Sequence, residues 1–362
     1  SGAAGAAGGL GAMNAAGSPP PPNTAGRPAV DAGMPAPPAP KGGKAILERL
    51  KALYEPDAKA QNRSLEINIL DEDRLPIARS HGGADAWGIT VSQAFLEGQM
   101  LSDDVMATVF CQEIGWLFGG FPFLGGTQAA EGQAAYYASK ECLRRLWVSD
   151  VSLNAAAGNG LDASLRKQCD DALPSAADRG LCYRTVRAAQ DSTRWFERAT
   201  TYPPAKLTTP DPTVVDRTNV EYITPQCRID TLLHGALCDK RFAANVIPGL
   251  AQSNTGINTP EAERAAAEYS CTSGAGARPA CWFKPDTKPV DCSAIPANGA
   301  CTTENDERGT LYCDPNHGPQ FSPCFPNEVC EVTDLARCTS PGGSSNDNGG
   351  PTIGGVTRKV IR

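Results

Sequence analysis

The chain has 362 residues, with 33 Lys and Arg against 40 Asp and Glu, a formal net charge of -7. A mildly acidic chain without a basic face is a poor nucleic-acid binder, and no segment reaches the roughly 20 apolar residues that a membrane span needs. The 37 Gly and 30 Pro signal arms or many turns, and 14 Cys, an even number, point to an oxidising compartment: the periplasm, the outer surface or the medium.

Residues 1–43 form an arm or linker in which 31 of 43 are Ala, Gly or Pro and only Arg27, Asp31 and Lys41 carry charge. Such a segment cannot bury enough apolar surface to offset its ordering entropy, so it is expected to tether the body or to order by wrapping a partner. The chain begins at Ser1, as a processed or trimmed protein would, and any signal peptide or lipid anchor would lie upstream of it. Ile46, Leu47, Leu50, Leu53 and Tyr54 recur at helical spacing, with Pro56 as the expected stop. Leu65, Ile67 and Ile69 alternate with polar residues as in a half-buried strand, and Trp87, Ile89 and Val91 predict a second one. Ser102 before Asp103 and Asp104 is a helix start, with a capping hydroxyl and carboxylates at the positive end of the dipole. That helix should run to Phe118 and stop at Gly119-Gly120, a further one should cover about 129–147, and mostly helical sequence should follow to about 285. Cys292, Cys301, Cys313, Cys324, Cys330 and Cys338 then fall within 47 residues poor in aliphatic side chains. Residues 286–339 therefore read as a small disulfide-stapled module of open connectivity, and 340–362 as a flexible tail.

The chemistry, if any, is written in Cys111-Gln112-Glu113-Ile114-Gly115-Trp116. A zinc protease needs two histidines at i and i+4 of one helix, with a glutamate after the first as general base. Gln112 and Trp116 stand at the two histidine positions and Glu113 at the base, so the frame of the motif is there without its ligands. Glu131 opens the next helix, where the third ligand of a His, His, Glu site would be.

These segments resemble a family of bacterial secreted, gluzincin-type zinc metalloprotease-like proteins. The family shows an HExxH helix preceded by cysteine and followed by a glycine pair, then a helix of the form EGQADYYA, which here reads Glu131-Gly132-Gln133-Ala134-Ala135-Tyr136-Tyr137-Ala138. Glu141–Arg145, Pro225–Thr231 with Gly235–Cys238, and Arg278–Phe283 are similar to later family segments, so the resemblance spans about 44–285. It implies an α+β, zincin-like domain: a small sheet from the 65–95 region against the helix pair that carries the motif, then further helices, with the N-terminal arm and the C-terminal cysteine-rich module outside the resemblance. The departures imply a lost activity. A glutamine amide oxygen is a weak neutral donor and an indole N–H has no lone pair to give, and Ala135 replaces the family's aspartate. Glu113, Gln112, Trp116 and Glu131 are thus expected to be relic positions holding no metal or other cofactor, with the two carboxylates satisfied by Gln112 and Tyr136.

His81, His234 and His317 show no ligand spacing. Cys111 and Cys142 flank the two site helices, so a bridge between them would clamp the pair. Cys169 with Cys182, Cys227 with Cys238, and Cys271 with Cys281 are each spaced to close a short loop. The expected function is a catalytically inactive, protease-like structural or binding subunit of an extracytoplasmic assembly, partnered by other protein subunits through the arm or through a strand edge at Trp87–Val91. The alternatives are an active zinc endopeptidase with an unusual ligand set, and a surface lipoprotein that recognises its partner through the six-cysteine module.

Overall fold

The computed structural model describes residues 41–71, 76–83, 85–97, 101–197, 202–241, 243–253 and 258–285 and five strands between 300 and 339, without the side chains of 194–197 and of most residues in those strands. The expectations for residues 1–40, for the tail, for Cys292, Cys324 and His317, and for the side chains of Cys313 and Cys338 lie outside the described residues.

The body is α+β. Helix α1 (Gly43–Ala60) buries Ile46, Leu47, Leu50 and Tyr54 on one face. It does not stop at Pro56 but runs on to Ala60. Proline removes one intrahelical donor, and Arg145 reaches in from another helix to bond the Leu53 carbonyl at 2.6 Å and the Asp57 carboxylate at 2.6 Å, so the weakened turn is held from outside. Strands β1 (Ser64–Leu70), β2 (Ala78–Gly82) and β3 (Ala86–Ser92) form one sheet of order β1-β3-β2, with β1 parallel and β2 antiparallel to β3. Strand β3, expected as a docking edge, is the central strand and is paired on both sides. The edges belong to β1 and to β2, and β2 was not foreseen from the sequence.

Ser92 ends β3 and caps the short helix α2 (Gln93–Leu96), its hydroxyl accepting from Phe95 N. Helix α3 (Asp103–Phe118) starts as expected, with the Ser102 hydroxyl accepting from Val105 N. It runs through the middle of the body, where only Asp103, Asp104, Glu113 and Trp116 keep any substantial exposure. The hairpin β4 (Phe123–Gly125) and β5 (Gln128–Ala129) leads into α4 (Glu131–Tyr137), a π-helical turn (Ala138–Cys142) and α5 (Leu143–Trp147). Gly115 allows α3 and α4 to touch backbone to backbone: a Cβ there would stand 2.2 Å from the Ala134 carbonyl oxygen. The Gln133 side-chain amide donates to the Gly119 carbonyl at 2.8 Å, and Cys111–Cys142 ties the pair covalently, as expected.

Helices α6 (Val151–Ala156), α7 (Ala163–Ala172), α8 (Ala176–Glu197) and α9 (Pro225–Leu237) follow, and Cys169–Cys182 joins α7 to α8. Irregular chain occupies much of 202–224 and 238–259 where helix was expected, apart from a 3-10 turn (Leu250–Gln252), before α10 (Pro260–Ala267). The expected bridges Cys227–Cys238 and Cys271–Cys281 do not form. Cys227 opens α9 and Cys238 caps it, which at about 1.5 Å per residue sets them about 16 Å apart, too far for a disulfide. Cys227 pairs instead with Cys281 and Cys238 with Cys271, at Cα separations of 5.9 and 5.8 Å, so segment 271–281 is stapled along the helix from both ends. In the cysteine-rich region β6 (Ala300–Glu304), β7 (Glu307–Asp314) and β8 (Gly318–Pro323) form an antiparallel meander, and β9 (Val329–Val332) pairs with β10 (Ala336–Thr339). Cys301–Cys330 links β6 to β9.

The contact at Gly115 sets the first prediction. Gly115→Ala should destabilise the protein by about 2 kcal/mol despite the better helix propensity of alanine. Gly125→Ala, where a Cβ meets nothing within 4 Å, should change stability by less than about 0.5 kcal/mol. Urea unfolding of both variants measures the difference.

Candidate functional site

Helical spacing puts Gln112, Gly115, Trp116 and Gly119 on one face of α3. Gly115 packs on Ala134 and Gly119 on Ala129, so this face meets the chain that enters α4. Gln112 is buried at 6 % exposure, and its Oε1 accepts no hydrogen bond. Trp116 is half-buried. Glu113 points away from both, toward the sheet, and its Oε2 accepts from Ser80 N of β2 at 2.6 Å. Ser80 is itself buried, so α3 covers the middle of the sheet edge, a common way of closing an edge strand.

Glu131 sits at the first position of α4 with 2 % of its surface exposed. It accepts from Ile223 N at 2.9 Å and forms an ion pair with Arg228 of α9. Burial pushes the Glu131 carboxyl above its ordinary value, against the opposing pull of the Arg228 guanidinium and the Ile223 amide. The expected partners were wrong for both carboxylates. Tyr136 serves elsewhere, donating its hydroxyl to the Gly276 carbonyl at 2.7 Å and accepting from Cys271 N. Gln112 is not what holds Glu113. Ala135 lies fully buried in the main apolar core.

Arg228 is the partner of Glu131 that the sequence alone did not point to. A signal existed in principle: a buried carboxylate demands a cation or a set of donors, and Arg228 opens α9 next to Cys227. Nothing in its spacing, however, links it to a residue 97 positions earlier.

The histidines are not brought to this place as ligands. His81 is exposed on β2, with its ring against Gly88 of the neighbouring strand. His234 sits on α9 with Nδ1 on the Ala277 carbonyl, and burial lowers its pKa. Among the described residues, three His, Cys, Asp or Glu groups converge only at Asp211–Cys227–Cys281 and Cys238–Asp239–Cys271. In both the sulfurs are disulfide-bonded and offer no thiolate. An open groove of about 650 Å³ runs along Val214–Glu221, lined by that exposed loop and by none of the motif residues.

No family model, no curated protein and no solved structure matches this chain.

The ion pair makes a measurable prediction. Arg228→Met leaves a buried carboxylate without its cation and should cost about 3–5 kcal/mol at pH 7. Pairing it with Glu131→Gln should recover much of that loss. With its carboxyl pKa raised further, folded Arg228→Met would hold a proton that the unfolded chain has released, so its stability falls as pH rises above the ordinary glutamate range. The cost of the substitution should accordingly be smaller at pH 5 than at pH 7, and the smaller residual cost in the double variant should be the same at both.

Proposed function

We infer that the chain is a catalytically inactive, metalloprotease-like protein that serves as a structural or binding subunit of an extracytoplasmic assembly. The observation that carries this reading is the engagement of Glu131. The carboxylate at the third-ligand position is neutralised by the guanidinium of Arg228, a cation that does not deprotonate. The rest of the set agrees. Gln112 and Trp116 supply no imidazole, and Glu113, at the general-base position, spends its carboxylate on the backbone of β2. The residues present therefore do not fit a catalytic zinc ion, which takes three protein donors and keeps one open position. The small sheet against α3, with α4 behind it, supports a zincin-like body.

The five disulfides of the described residues fit an oxidising environment, and no described helix is long and apolar enough to cross a membrane. Periplasm, cell surface or secretion follows as the proposed location. Partner subunits are proposed as the ligands, with the Ala/Gly/Pro-rich arm as one element able to engage them. Addition of a peptide strand at β3 is not part of the proposal, because that strand has no open edge.

Zinc content tests the reading directly. Protein purified without chelator from an oxidising compartment should carry less than about a tenth of an equivalent of zinc per chain. One full equivalent, lost together with a hydrolytic activity in Glu113→Gln, would overturn the inactive reading in favour of a zinc endopeptidase with other ligands.

A further inference from the structure

Cys238, Asp239 and Cys271 bring a carboxylate oxygen and two sulfurs within 4.8 Å of one another at the C-terminal end of α9, about 15 Å along that helix from Arg228. Of the eight cysteines bridged within 41–285, Cys271 alone is not buried, and Asp239 is exposed beside it. The two cations that follow Asp239 in sequence are engaged elsewhere: Lys240 Nζ donates to the Ala267 carbonyl at 2.8 Å, and Arg241 pairs with Asp178 at 2.8 Å. Asp239 Oδ1 lies instead 3.8 Å from Cys271 Sγ. A disulfide sulfur carries no proton, so the carboxylate gains no hydrogen bond there while the staple is closed. The backbones that carry the two sulfurs are fixed by other bonds. Cys271 N donates to the Tyr136 hydroxyl at 3.2 Å, Cys238 N to the Gly235 carbonyl at 3.2 Å, and Arg144 Nη2 to the Cys238 carbonyl at 3.4 Å. Opening the staple therefore leaves its two cysteines facing each other.

We propose that Cys238, Asp239 and Cys271 form a redox-gated site for a thiophilic divalent cation such as zinc, closed to the ion in the disulfide and open to it in the dithiol. A dithiol reductant opens the site. Its thiolate attacks Cys271 Sγ, on the more exposed residue, Cys238 leaves as a thiolate, and the second thiol of the reductant resolves the mixed disulfide. One disulfide is reduced and one dithiol oxidised, with two electrons and two protons passed to the cysteines. Zinc then displaces both thiol protons and takes two thiolates and the Asp239 carboxylate, with the fourth position left open to water. The sulfurs need part only to about 3.8 Å, the spacing of two Zn–S bonds of about 2.3 Å at a tetrahedral angle. The Asp239 oxygen is already near both. Oxidation reverses the sequence and releases the ion. The Asp211–Cys227–Cys281 group offers the same donors, but its cysteines are 1 % and 8 % exposed and shielded from a reductant.

Graded dithiol treatment of the full chain without oxygen, followed by alkylation and peptide mapping, reads which staple opens. After removal of the reductant, competition with a chromophoric chelator reads zinc binding, with zinc alone as the probe. Within 41–285, Cys238–Cys271 should open first, while Cys111–Cys142, Cys169–Cys182 and Cys227–Cys281 are still closed. Zinc uptake should rise with that opening to one equivalent per chain, and the oxidised chain should take up none. Asp239→Asn, a change at an exposed position that costs the fold little, should weaken binding about tenfold or more, the loss that even groups behind a ligand cause. Cys238→Ser combined with Cys271→Ser should abolish it. A partly reduced chain that holds no zinc overturns the proposal. So does uptake that follows the opening of another staple, or an Asp239→Asn variant that binds as tightly as the parent chain.

Discussion

The approach of α3 to α4 at Gly115 is the constraint on which the rest of the body depends. Two helices whose backbones touch must present almost no side chain at the crossing, and Gly115, Gly119, Ala129 and Ala134 do so. Once α3 is that close, little of it beyond its first turn, Glu113 and Trp116 is left to water, and its other surfaces are taken by the sheet on one side and α8 on another. Cys111–Cys142 then adds a covalent tie of the kind worth about 2–4 kcal/mol. The same closeness places Glu131 beside segment 271–283, whose Trp282 lies flat against Gly132, and so fixes where α9 can deliver Arg228.

Charge is handled inside this body by a small number of shared partners. Arg184 bridges Asp104 at the start of α3 and Asp150 before α6, and Arg145 holds both the Leu53 carbonyl and Asp57 of α1. Each guanidinium joins two elements that are distant in sequence, as its forked donors allow. Arg278 differs. Buried, it makes only long hydrogen bonds among the described residues, to the Phe121 carbonyl and Gln133, while lying over the Phe283 ring. Burial lowers its pKa to about 10, which leaves it charged at neutral pH.

What could be read from the sequence was what local pattern encodes. The apolar period of α1, the alternation in β1, the Ser102 cap and the two disulfides Cys111–Cys142 and Cys169–Cys182 stand as expected, whereas β3 is a strand as expected but, as the central one, is buried on both faces. Strand β2 was invisible because Ala-Arg-Ser-His-Gly has neither alternation nor β-branched residues. It is a strand only because β3 supplies a ladder on one side and Glu113 accepts Ser80 N on the other. The α9 disulfides were misread for a related reason. Proximity in sequence favours Cys227 with Cys238, but a rigid helix between them separates the sulfurs that a flexible loop would have brought together. The candidate site was half legible: its helix frame and Glu131 were in view, while the cation that meets Glu131 comes from an element whose position is set by tertiary packing alone.

Glu131 and Arg228 explain how the missing imidazoles and the buried glutamate can coexist. A carboxylate that is 2 % exposed is costly to keep ionised unless positive charge and donors stand against it. In a zinc site the ion would supply that charge and the histidines would complete its coordination. Here neither Gln112 nor Trp116 can do so, and a lone Glu131 would either take up a proton or open the helix pair. One guanidinium and one backbone amide answer the carboxylate with charge and with directed hydrogen bonds, against the burial that pushes its carboxyl up. Trp116 is then free to act as packing at the rim. Glu113 is answered in the same way, by the backbone N–H of Ser80 on an edge strand. On this reading the motif helix has become the element that closes the sheet.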